Sequence, residues 1–200
     1  LNLPIDGGII EEIIESGNDF MLLFLAKSIT LSNDRVFLDR LVPVTMRLLG
    51  IDYMIEFPEY SDYMEFISLM ICKDPAQFVP VIEDVVNILF EILNLVVQNK
   101  LTTLNIIGIF ATFAKIPVLF EFIWNSSLPF ISKLFFDCEG NPFFILIGID
   151  FLNGLFQHLD NSVLPLEDIQ PIFASFMNFI NEALNSPIIK FDQESMYSIM

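Results

Sequence analysis

Phe24-Leu25-Ala26-Lys27-Ser28-Ile29 returns three times along the chain. The later copies are Phe66-Ile67-Ser68-Leu69-Met70-Ile71, Phe110-Ala111-Thr112-Phe113-Ala114-Lys115 and Phe151-Leu152-Asn153-Gly154-Leu155-Phe156. Their leading phenylalanines stand 42, 44 and 41 residues apart. A second series runs between them: Pro43, Asn87, Pro129 and Pro171, at steps of 44, 42 and 42. Apolar Val44, Ile88, Phe130 and Ile172 follow directly. Five and six residues on come the pairs Leu48-Leu49, Ile92-Leu93, Leu134-Phe135 and Phe176-Met177. Two series sharing one period point to a chain built from stacked repeats, whose signature is self-similarity at 20–50 residues.

Both series read as helix. Ile172, Phe173, Phe176, Met177, Ile180, Ala183 and Leu184 form a stripe with a 3.6-residue period, not an alternation of two. Tyr63, Phe66, Ile67, Met70 and Ile71 do the same for the other series. Turn and helix-entry residues fall between: Ser32-Asn33-Asp34, Lys73-Asp74-Pro75, Asn99-Lys100, Glu139-Gly140-Asn141-Pro142 and Asn185-Ser186-Pro187. The third unit predicts a short helix over 116–124, a second over 126–136 and a long third over 142–158. The approximate units are 1–50, 51–98, 99–137 and 138–185, with 186–200 a tail or the start of another. Residues 101–114 and 142–154 are expected to be the innermost helices. The first residue is Leu, which suggests a piece of a longer chain.

Short, medium and long helices in about 42 residues resemble the armadillo repeat, and the paired version resembles HEAT. The resemblance implies an all-α, right-handed α-solenoid of about four units of 41–44 residues, acting as a scaffold for protein binding. Armadillo arrays that grip basic import signals carry Trp and Asn one turn apart on the third helix. Here the single Trp, Trp124, lies on a first helix, and only Asn153 matches the Asn, beside Ser68 and Thr112 in other copies. Acidity and long apolar helices are also similar to the karyopherins, which implies nuclear transport and a place in cytoplasm or nucleus.

Composition sets the competing classes. Acidic residues number 26 against 9 basic ones, for a formal net charge of −17. Phosphate backbones need cations, so direct nucleic-acid binding is disfavoured, as is attraction to anionic lipid. A Lys/Arg-rich protein segment is the natural partner of such a surface, while the acidity also keeps a chain with 54% apolar residues in solution. The longest uncharged run, 101–114, is short of a bilayer span, and neighbouring apolar stretches carry Glu91 and Asp150. A polytopic helical membrane protein is the alternative class, and an enzyme the third.

No chemistry-bearing constellation stands out. Cys72 and Cys138 are far apart without a His cluster, so no metal is expected, and both thiols are expected to be buried. His158, the only histidine, has no nucleophile motif beside it. Gly7-Gly8 lacks the Lys and Ser/Thr of a phosphate loop. Glu11-Glu12 and Glu83-Asp84 are sequence neighbours, which diverge on a helix. No catalytic residue or cofactor is expected. Two partner-binding sets remain. Ser68, Thr112 and Asn153 share one offset from the repeated Phe, with Glu65 and Asp150 three residues earlier in two copies. Asp52, Tyr53, Glu56, Glu59, Tyr60 and Asp62 form an acidic, tyrosine-bearing segment able to dock a basic peptide; the same acids equally suit a helix start.

Overall fold

The computed structural model describes residues 7–16, 18–50, 60–136 and 142–157, with 170, 171, 174, 175, 177–179, 181 and 185 of the C-terminal stretch. Among them the chain is all-α, without a strand. In order come α1 (Gly7–Ser16), α2 (Asp19–Leu31), α3 (Arg35–Leu38), α4 (Leu41–Leu49), α5 (Tyr60–Lys73), a 3₁₀ segment (Pro75–Val81), α6 (Ile82–Val96), α7 (Lys100–Ala114), α8 (Pro117–Phe136) and α9 (Pro142–Phe156).

Asx side chains cap three of these helices, and two of the caps, Asp34 and Asn99, are among the punctuation residues. Asn18 opens α2 by accepting the Met21 N–H at 3.1 Å, and Asp34 opens α3 by accepting that of Val36 at 3.1 Å. Asn99 does the same for α7 through the Thr102 N–H, and Pro142 stands first in α9, where no N–H is needed. One boundary fails. Residues 116–124 and 126–136 are not two helices but the single α8. Asn125-Ser126-Ser127 contains no breaker, and the buried stripe Ile123, Ser127, Phe130, Ile131 and Leu134 passes through it without a change of phase. Pro129 removes only the bond to the Asn125 carbonyl, and both residues face solvent, where water can take that place.

Packing divides the chain into two compact units, 1–113 and 114–200. In the first, α2 lies against α4 and α5, and α4 against α5 and α6, so helices two or three steps apart in sequence are side by side. α7 joins them through Phe110 on Phe90 of α6, ring centroids 4.7 Å apart, and Phe113 on Phe78, at 6.2 Å. Lys73 ties α5 to the end of α2: its Nζ donates to the carbonyls of Ile29 at 2.7 Å and Thr30 at 3.0 Å, and to that of Ser32. Those are carbonyls a helix end leaves without partners, so a cation satisfies both their hydrogen bonds and the dipole.

In the second unit α8 packs along α9. The approach is close at Gly148, where an added Cβ would lie 2.4 Å from Cε2 of Phe135. Phe156 packs against Trp124 and Phe120, and Phe151 against Phe130. Phe135 and Phe136 of α8 meet Phe179 edge to face, at 5.1 and 5.7 Å.

Burial along the helices shifts the first series by one residue. Phe110 and Phe151 are fully buried, whereas Phe66 is half-buried and Phe24 is 58% exposed. In α2 and α5 the interior position belongs instead to Leu25 and Ile67. Leu25, Ile67, Phe110 and Phe151 are matched four residues on by buried Ile29, Ile71, Ala114 and Leu155. The second series keeps its register through three copies. Pro43, Asn87 and Pro129 are exposed, and Leu48-Leu49, Ile92-Leu93 and Leu134-Phe135 are buried. Met177, in the fourth copy, is exposed.

Candidate partner-binding residues

Two of the expected positions form outward pairs. On α5, Glu65, Ser68, Leu69 and Cys72 follow at offsets of three, four and seven and make the open face of that helix, with Ser68 half-buried. On α9, Leu146, Asp150 and Asn153, at offsets of four and seven, make an exposed face as well. A carboxylate therefore sits one turn from a neutral hydrogen-bonding side chain on each helix. Glu65 and Ser68 belong to the first unit, Asp150 and Asn153 to the second. An extended segment bearing Lys or Arg could meet either pair, the carboxylate taking the charge and the amide or hydroxyl a main-chain group.

Thr112 does not join them. It is only 8% exposed; its Oγ1 donates to the Gly108 carbonyl at 2.8 Å and lies 3.2 Å from Sγ of Cys72. A hydroxyl satisfied inside its own helix is not offered to a ligand. Packing explains this: Thr112 and Asn153 stand at the same offset from a buried Phe, but α5 covers Thr112 through Cys72 while Asn153 is left exposed. Cys72 is exposed, contrary to the expectation of a buried thiol, because it lies on the same open face as Glu65. Trp124 is interior, packed on Phe156.

Of the acidic and tyrosine-bearing segment, Asp52, Tyr53, Glu56 and Glu59 lie outside the described residues. Tyr60 and Asp62 stand on the first turn of α5, and their side chains are likewise outside the description. Cys138 and His158 also lie outside it. A polar row that the repeat search passed over runs down α6: Asp84, Asn87, Glu91 and Asn94 are all exposed. It is the complement of the buried stripe Val85, Val86, Leu89, Ile92 and Leu93, so the helical period alone could have found it. Glu11 pairs with Arg40 at 2.5 Å, which leaves Glu12 to point elsewhere.

Among the described residues no group of His, Cys, Asp and Glu is placed to hold a metal ion, and no helix is long and apolar enough to cross a membrane. No family model, curated protein or solved structure matches the chain.

Proposed function

We propose that the chain is a non-enzymatic scaffold of stacked armadillo/HEAT-like helical units that binds a basic segment of a protein partner on acidic helix faces. The observation that carries this reading is the outward pairing of Glu65 with Ser68 and of Asp150 with Asn153. Side-by-side packing of α2 on α5 and of α4 on α6 supports the stacked arrangement, because each such unit buries its apolar face only against a neighbour. The net charge of −17 supplies long-range attraction for a basic ligand.

The test is titration of a fluorescent Lys/Arg-rich peptide into the wild-type chain and a Glu65→Lys/Asp150→Lys double variant. Weaker binding by the variant is expected, with a steep loss as salt rises, since exposed charges are screened within about 10 Å at 0.1 M. Equal affinities at low salt would remove both pairs as sites.

A further inference from the structure

α2 is apolar nearly all round: its only charged residues are Asp19 and Lys27. One side, Leu22, Leu25, Ala26 and Ile29, is buried. The other is a second stripe, Met21, Phe24, Ser28 and Leu31, at offsets of three, seven and ten. Phe24 and Leu31 are 58% and 78% exposed. Helices apolar on every side are normally covered on every side. The matching stripe of α7, set by the interior positions Leu25 and Phe110, is Ile106, Ile109 and Phe113, all fully buried.

The surroundings of the stripe state what would cover it. Lys27 flanks it, three residues after Phe24 and four before Leu31, and Arg35 follows at the start of α3. Both are exposed and make no ion pair among the described residues. Arg40 is already paired with Glu11 and Asp34 stands beside Arg35, so Lys27 is the cation that borders the stripe itself. The stripe is too small for a dimer. Even a large aromatic buries only about 150–250 Å², and three partly exposed side chains fall well short of the roughly 800 Å² per partner of a stable interface. A short helix anchored by two or three side chains makes a contact of that size, in the weak and transient class. Lys73, holding the last carbonyls of α2, keeps the platform in place.

We infer that the Met21–Phe24–Leu31 face of α2 docks an amphipathic helix of a partner protein, one whose apolar stripe is flanked by carboxylates that meet Lys27. The inference rests on the scaffold reading but not on the α5 and α9 residues. Phe24→Ser leaves basic-peptide binding there unchanged, so either site can fail without the other.

The probe is a fluorescein-labelled synthetic helix with Leu along one face and Glu on its flanks, compared with the same peptide carrying Lys for each Glu. The full chain is expected to bind the Glu peptide in preference. Phe24→Ser, at an exposed position and with an unchanged circular dichroism spectrum as the control for folding, should weaken that binding about tenfold or more. Lys27→Glu should weaken it about threefold and shift preference toward the Lys peptide. Absence of binding, equal binding of both peptides, or affinity that survives Phe24→Ser would each overturn the proposal. So would sedimentation as a concentration-dependent dimer that Phe24→Ser dissociates, which would assign the stripe to a second copy.

Discussion

α2 and α7 are built from nearly the same material and end in different circumstances. Each is a run of Leu, Ile, Phe, Ala and Thr with hardly a charge, and each carries a copy of the repeated segment. α7 buries Phe110 and Phe113 against Phe90 and Phe78, while α2 leaves Phe24 and Leu31 in solvent. Apolar content therefore does not decide burial in this molecule; the presence of a neighbour against the stripe does. In α7 the apolar surface contributes to stability. On α2 the exposed half meets little of this chain among the described residues.

The sharpest test of that contrast is one substitution made in both helices. Phe110→Ala removes a ring with no exposure from between α6 and α7 and should cost roughly 3–5 kcal/mol through lost burial and the cavity left behind. Phe24→Ala should change the urea midpoint little, because the ring already stands largely in water. Similar losses in both would show that Phe24 is buried in solution and would break the comparison.

How far the sequence foretold this follows from the same contrast. The helices were legible because their stripes keep a 3.6-residue period, and two of the caps because Asp34 and Asn99 are residues that compete for helix-end N–H groups; Asn18 is a cap of the same kind that stood outside the expected punctuation. The second series kept its register because each copy is amphipathic: exposed Pro43, Asn87 or Pro129 fixes the outside. The first series slipped by one residue for the opposite reason. Where Phe24 and Leu25 are equally apolar, period alone cannot choose between adjacent faces, and the choice falls to whatever packs alongside. Thr112 belongs to a copy whose register held, and it is covered by Cys72 of α5, a neighbour that period cannot foresee, whereas Glu65 and Asp150 were placed outward because charge fixes their side. The fused α8 reflects a break read at Asn125, a polar residue that a helix accommodates when the stripe beneath it continues.

Gly148 extends the comparison to the second unit. A methyl there would meet Phe135, whose ring is buried and already seated on Phe179, so it has little room to move. Gly148→Ala should cost about 1–3 kcal/mol by overpacking. An unchanged melting temperature would mean that α8 and α9 are less closely apposed than described.

Lys73 addresses α2 directly. Replacing it with Met keeps the aliphatic stem and removes the cation from the Ile29, Thr30 and Ser32 carbonyls. Water can reach this half-buried end, so the loss should be about 1–2 kcal/mol. Faster amide exchange in the last turn of α2, with α7 unaffected, is the expected signature. Uniform loss of protection would instead make the contact part of the global fold.

The smallest effect has the opposite sign. Gly108 lies in the middle of α7, and a Cβ built there meets nothing within 4 Å. Its neighbours in sequence, Ile107 and Ile109, are buried, so Gly108 marks the one side of α7 that opens toward space. Ala at this position keeps the backbone conformation and adds no collision. It also narrows the conformations of the unfolded chain, and glycine in a helix interior is less favourable than Ala by about 0.8–1.0 kcal/mol. The Thr112 hydroxyl accepts no change, since it bonds the carbonyl of residue 108 and not its side chain. Gly108→Ala should thus stabilise the chain by roughly 0.4–1 kcal/mol, while the same substitution at Gly148 destabilises it. Thermal denaturation of the two variants side by side reads both signs. If Gly108→Ala lowers the midpoint, α7 is covered on that side too, and its difference from α2 is larger than the packing of the first unit accounts for.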